Sequence, residues 1–383
     1  MLRKLVVLVA IAATLSACVS TRFYYPAATE LAGAPGSIIR QERLPDGPGG
    51  STAWRVLYRS VGLQGEPIAV SAVILVPPGP APANGRRIVA WAHPTTGVAT
   101  ECAPSLSPLQ YLVLAGVDEL IADGYVIAAT DYPGLGTPGT HPYLVGESEA
   151  RAVLDSVRAT RAIVPDAGTR IALWGHSQGG HAAIWTSLLA EDYAPEFTIV
   201  GIALAAPATE LSTLIRADAD TDEGKNLTAM AVWAWSRVFD TPLQPIVDPD
   251  QLATVNRVAS YCIDTISGLI ERRAPAATLD EGFLTVADIT TVEPWERFIR
   301  DNTPGVTPAG LPVFIGQGEA DTLVHPNITQ NYFARLCAAG RPATLLMMPG
   351  IDHGAAGRAA APTAIQWIGD RFDGAGGANA CPR

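Results

Sequence analysis

One pentapeptide stands out as chemistry: Gly175-His176-Ser177-Gln178-Gly179. A serine with glycines two residues to either side fits a sharp strand-to-helix turn, where bulkier neighbours would clash. The turn lifts the hydroxyl off the sheet and sets it at a helix N-terminus, which favours developing negative charge. The context agrees. The apolar run Ile171-Ala172-Leu173-Trp174 precedes the turn, and a helix-forming run over 180–189 follows it.

A serine hydroxyl is a weak nucleophile at neutral pH and needs an adjacent base. Behind such a turn the partners follow in the order serine, acid, histidine. After Val313-Phe314-Ile315 comes Gly316-Gln317-Gly318-Glu319-Ala320-Asp321, so Asp321 is the expected acid and Glu319 the reserve. After the apolar run over 345–348 comes Pro349-Gly350-Ile351-Asp352-His353, and His353 is the expected base, on a loop. Asp352 adjoins it, but adjacent side chains diverge, so Asp352 is a poor orienting acid. His325 is expected to line the same mouth and His176 to form a pocket wall. His181 reads as a packing residue of the helix after the turn. His141 lies in a loop and receives no role.

An oxyanion needs two N–H donors. One is expected from Gln178, the residue after the nucleophile. The other should come from His93-Pro94-Thr95-Thr96-Gly97, after the strand ending at Ala92. Pro94 has no N–H, which points to Thr95, with Thr96 next.

These residues need a sheet to hold them. Segments 54–61 and 68–76 read as an antiparallel pair. Short apolar strands over 88–92, 125–130, 171–174 and 199–206 then alternate with helices over 109–122, 147–163 and 179–190. That alternation implies an α/β fold with a mostly parallel sheet covered on both faces by helices. It stops at Pro207. Residues 209–308 read as a helical cap or lid insertion, with Trp233, Trp235, Phe239, Tyr261, Phe283, Trp295 and Phe298. These aromatics suit an acyl tunnel or the cap's own core equally. Strands resume over 312–315 and 344–348, with a last helix over 363–372. The core is thus 51–208 and 309–383.

The chain has 383 residues, is nearly half apolar and carries a net charge of −11, without a Lys/Arg block. Nucleic acid is therefore an unsuitable partner. Arg3 and Lys4 precede an apolar run over 5–13, too short to span a bilayer, so 1–17 reads as a signal peptide. It runs into Leu15-Ser16-Ala17-Cys18, which resembles a bacterial lipobox, and Cys18 is the expected lipidated residue that anchors the chain to a membrane. The Gly/Pro/Ala-rich stretch 18–50 reads as a tether and lead-in arm. An exported chain is expected to be a cell-envelope lipoprotein, or secreted if not lipidated. Cys102, Cys262, Cys337 and Cys381 then suggest two disulfides, with three pairings open. No cysteine or histidine spacing fits zinc, so no metal is expected.

Taken together, these motifs resemble the secretory lipase family of α/β-hydrolases, which includes fungal lipase A enzymes. The likeness covers about residues 50–375. It rests on Trp91-Ala92-His93-Pro94-Thr95-Thr96-Gly97 with Cys102-Ala103-Pro104-Ser105, and on Asp131-Tyr132-Pro133-Gly134-Leu135-Gly136 with Tyr143 and Gly146. The helix from Arg151 to Ala159, the serine turn, Trp295 and Asn302-Thr303-Pro304-Gly305 complete it. The resemblance implies an α/β-hydrolase fold, acyl-ester or lipid substrates, no cofactor and a helical cap. It also implies pairing of Cys102 with Cys262 and of Cys337 with Cys381. Pro94 departs from the glycine that many relatives of this fold carry there. Two rivals remain: a prolyl-type serine peptidase on the same fold, and a non-catalytic surface lipoprotein.

Overall fold

The computed structural model describes residues 22–45, 47–263, 279–280, 282–375 and 379–381. The expected signal peptide and Cys18 lie outside the described residues. The chain opens with three antiparallel strands, β1 (Ile38–Leu44), β2 (Thr52–Val61) and β3 (Pro67–Val76). β2 and β3 are the expected pair, in register from Thr52 opposite Val76 to Val61 opposite Pro67. β1 was not foreseen; it falls inside the stretch read as a lead-in arm. Its Arg40, Glu42 and Arg43 hide the period-2 pattern, yet such charges suit a sheet edge that must not recruit another strand.

The remaining strands are β4 (Arg86–Ala92), β5 (Val126–Thr130), β6 (Ala167–His176), β7 (Thr198–Ala205), β8 (Val313–Gly318) and β9 (Ala343–Met348). They pair parallel throughout, and β5 joins β3 antiparallel. The spatial order is β1-β2-β3-β5-β4-β6-β7-β8-β9. This is the α/β-hydrolase arrangement, with β4 and β6 side by side at its centre. The loops after β4, β6, β8 and β9 therefore emerge on one edge, where open α/β sheets bind ligands.

Helices α1 (Val117–Ala122), α2 (Gly146–Ile163) and α3 (Gln178–Tyr193) alternate with the strands. Between β7 and β8 come α4 (Leu211–Ala217), α5 (Asp222–Val238), α6 (Leu252–Ala259) and α7 (Trp295–Asn302). Helices α8 (Pro326–Ala338) and α9 (His353–Phe372) close the chain. One sheet face packs on α2, α3 and α8 through residues such as Val153, Leu154, Ile184 and Tyr332. The other packs on α1 and α9 through Ile121, Ala360, Ile365 and Ile368. The segment between β7 and β8, expected to be a cap, has a core of its own that includes Trp235, Phe283, Trp295 and Phe298, so most of its aromatics pack on one another.

Two helix expectations are corrected. The run over 109–122 is a 3-10 turn, Gln110–Val113, followed by α1, because Gly116 takes a left-handed conformation (φ +75°) between them. The last helix does not begin after Pro362 but at His353, running through the proline. Buried Ala356, Ala360, Ala361 and Ala364 press that face onto the sheet, and this packing overrides the local break.

Disulfides join Cys102 to Cys262 and Cys337 to Cys381, the pairing that the resemblance implied.

Candidate active site

Ser177 sits at the tip of the β6–α3 turn with φ 57° and ψ −118°, a strained backbone for a residue with a side chain. The flanking glycines explain how the turn closes. A Cβ on Gly175 would meet the Gly179 carbonyl oxygen at 2.1 Å, and one on Gly179 would meet that of Ala92 at 1.8 Å. The turn thus presses directly on the end of β4, next to the expected oxyanion loop.

His353 Nε2 lies 2.9 Å from Ser177 Oγ. His353 Nδ1–H donates to Asp321 Oδ2 at 2.8 Å. The three side chains therefore form one hydrogen-bonded chain from three separate segments: the β6–α3 turn, the loop after β8 and the start of α9. His353 is not on a loop, as expected, but is the first residue of α9. Asp352 is that helix's N-cap, accepting from the Ala355 N–H at 2.9 Å, so it does not orient the imidazole. Glu319 is exposed and takes no part.

Asp321 is almost wholly buried. Burial raises its pKa, but His353 and the amides of Leu323 and Val324 outweigh that and hold it below the ordinary carboxylate value. His176 packs its ring against His353, 5.1 Å between centroids, and its Nε2–H donates to the His353 carbonyl at 3.0 Å. Burial, with repulsion from His353, drops its pKa to about 3 and leaves it neutral. It braces His353 from the side, and it is not among the residues that wall the slot beside Ser177. His325 stands at the mouth, where Nε2 contacts Asp218 of the cap at 3.1 Å.

Gln178 is the first residue of α3, so its N–H has no intrahelical acceptor and faces the end of the helix. Thr95 stands on the loop after β4, its hydroxyl 2.9 Å from the Tyr143 hydroxyl. Asp131 braces this region from below: its carboxylate accepts from Ser71 Oγ at 2.5 Å and from the Ser105 N–H at 2.9 Å.

An apolar slot opens beside Ser177, walled by Tyr143, Leu211, Leu214, Ala231, Trp235 and Val324. Its volume is about 70 Å³, small beside the roughly 300–1,000 Å³ of ordinary small-molecule sites. Of the cap aromatics singled out from the sequence, Trp235 is the one that lines it. The other wall residues of the cap carry no motif and were not anticipated. Neither was Glu149, a fully buried acid in the first turn of α2 that contacts both Gln178 and His181. Its spacing from Ala152 and Val153, which places an acid on a buried face of the helix, was the signal available. Among the described residues no cluster of His, Cys, Asp and Glu is arranged to hold a metal.

Known proteins resemble this chain in sequence and in fold. The family model for secretory lipases matches residues 109–379. A probable inactive lipase of Mycobacterium tuberculosis is 25% identical, over 92% of this chain and 82% of its own. Lipase 5 of Candida albicans is 27% identical, over 93% and 81% respectively. Among solved structures, Candida antarctica lipase A in its closed state superposes with a TM-score of 0.77 at 19% identity, covering 92% of this chain and 86% of that one. The rice cell wall degrading esterase of Xanthomonas oryzae gives 0.68 at 20% identity, covering 89% and 98%. With the fold, the strand-edge site and a family match over most of its length, the chain belongs to the secretory lipase family of α/β-hydrolases.

Proposed function

We propose that this chain is a serine ester hydrolase that works through an acyl-enzyme on Ser177. The observation that carries the reading is the chain of contacts from Ser177 Oγ to His353 at 2.9 Å and on to Asp321 at 2.8 Å. His353 takes the Ser177 proton as the hydroxyl attacks the ester carbonyl, and returns it to the leaving alcohol. Asp321 fixes the tautomer that leaves Nε2 free to accept, and it stabilises the imidazolium. The amides of Gln178 and Thr95 hold the oxyanion. Water, activated by His353, then releases the acid. No cofactor enters this scheme.

Acyl esters of lipids are the natural substrate class, and the narrow slot favours a short acyl group. Two disulfides suit an exported chain. Lipidation at Cys18 would hold it at the cell envelope, close to membrane lipids. A non-catalytic binding role is the rival that the M. tuberculosis relative's name brings forward, but here serine, histidine and acid are all present and in contact. The peptidase reading has no comparable support.

The test is a series of p-nitrophenyl esters, acetate to palmitate, on the mature chain beside Ser177→Ala. Ser177-dependent turnover is expected, strongest at short chains. Equal turnover by the variant, or none by either, would refute the assignment.

A further inference from the structure

We infer that Glu149 and His141 are positioning residues for the oxyanion donor: they clamp the Gln178 side chain and thereby aim its backbone N–H. The inference rests on the ester-hydrolase reading above. The Gln178 side-chain amide sits in a buried pocket beneath the serine turn. Its Nε2 is 2.8 Å from Glu149 Oε1 and 3.2 Å from His141 Nε2. Both contacts are acceptors. His141 Nδ1–H donates to the Pro133 carbonyl at 2.9 Å, and burial drops the pKa of this ring to about 3, so its Nε2 carries a lone pair. The two hydrogens of the Gln178 amide are therefore both used, one on each partner, and the side chain has one orientation. Its Oε1 is buried without a hydrogen-bond partner among the described residues.

Glu149 is itself held. Its Oε1 also accepts from the Leu144 N–H at 3.2 Å, and its Oε2 lies 2.7 Å from His181 Nδ1. On the far side His181 Nε2 is 2.8 Å from the Asn302 carbonyl, which can only accept, so that nitrogen carries a hydrogen. One further proton lies between His181 and Glu149, and the pair is net neutral on whichever atom it rests. A wholly buried acid is thus kept without a net buried charge. The pair spans three elements: the first turn of α2, the helix that begins at Gln178, and Asn302 at the end of the cap. Its geometric output is the helix end that carries the Gln178 amide.

The hydrogen-bond pattern makes the inference testable. Glutamine at 149 can accept from Gln178 and Leu144 with its oxygen and donate to His181 with its nitrogen, whereas alanine can do none of this. Wild type, Ser177→Ala, Glu149→Ala, Glu149→Gln and Gln178→Met are compared on p-nitrophenyl butanoate. Competent sites are counted by exhaustive fluorophosphonate labelling, and the Ki of an alkyl boronic acid reports the tetrahedral adduct. In Glu149→Ala, kcat per labelled site should fall about 10- to 100-fold with KM within about twofold, and the boronate Ki should rise as kcat/KM falls. Glu149→Gln should recover to within about threefold of wild type, and Gln178→Met should resemble Glu149→Ala. Unchanged kcat per site in Glu149→Ala and Gln178→Met, a loss carried by KM alone, or no recovery in Glu149→Gln would overturn the clamp. If Glu149→Ala does not fold, Gln178→Met decides by the same criteria. Absence of Ser177-dependent turnover in wild type would instead remove the ester-hydrolase reading, and the clamp with it.

Discussion

Gly97 and Cys262 pair as an isolated antiparallel bridge, which stitches the loop after β4 to the cap. The Ile263 N–H donates to the Thr96 carbonyl at 2.9 Å, and a Cβ on Gly97 would lie 2.7 Å from Cys102 Sγ. The disulfide at this point therefore holds the loop that presents Thr95, and it closes a span of 160 residues.

Removing it should cost both stability and turnover. Replacing Cys102 and Cys262 with serine is expected to destabilise the fold by about 2–5 kcal/mol in urea titrations and to lower kcat several-fold. Replacing Cys337 and Cys381, whose span is 44 residues and which lie away from the site, should cost about 1 kcal/mol less and leave kcat alone. Equal effects of the two pairs on kcat would show that the first plays no part in positioning the loop.

Asp321→Asn should preserve the fold and lower kcat by about 10⁴. The asparagine amide donates to His353 Nδ1, which moves the ring hydrogen to Nε2 and removes the acceptor for Ser177. A loss under tenfold would point to another orienting acid.

The pH dependence of stability distinguishes two buried acids. Asp321 is held below its ordinary pKa, so its contribution is complete above about pH 4 and is lost as pH falls through its folded value. Asp131 is pushed up by burial, which its hydrogen bonds from Ser105 and Ser71 only partly offset, so it behaves in the opposite way. On acidification from about pH 5 to about pH 3, wild type should lose ground to Asp321→Asn and gain ground on Asp131→Asn. Urea midpoints of the three proteins at each pH check the signs; the same trend for both variants would contradict them.

Gly179→Ala should be among the most damaging small substitutions, because its Cβ would fall 1.8 Å from a backbone oxygen that cannot swing aside. The expected cost is on the order of 4 kcal/mol, about 5 °C in Tm for a chain of this length. A variant within about 1 °C of wild type would mean that the turn relaxes freely.

Ala231→Leu on α5 should fill much of the slot beside Ser177 and cut butanoate turnover at least about tenfold while sparing acetate. Leu214→Ala should move the optimum toward longer chains. An unaltered chain-length profile in both variants would place the acyl group elsewhere.

Local order in the sequence was enough to single out Ser177, Asp321 and His353, which the fold brings into one hydrogen-bonded chain. Each is a short motif attached to a strand, and the strands announce themselves by continuous apolar runs. The disulfide pairing was carried by family likeness, since four cysteines alone leave three choices. Other features depend on partners far apart in the chain. β1 is a strand because β2 offers it an edge, although its charges mask any alternation. α9 runs through Pro362 because alanines on either side pack onto the sheet, and so His353 becomes a helix residue with Asp352 as its cap. Glu149, His181, Gln178 and Asn302 meet beneath the nucleophile from three separate helices, and the slot beside Ser177 is shaped where the cap settles on the core. Hydrogen bonding and close packing between distant segments have no period along the chain, so only the folded structure decides them.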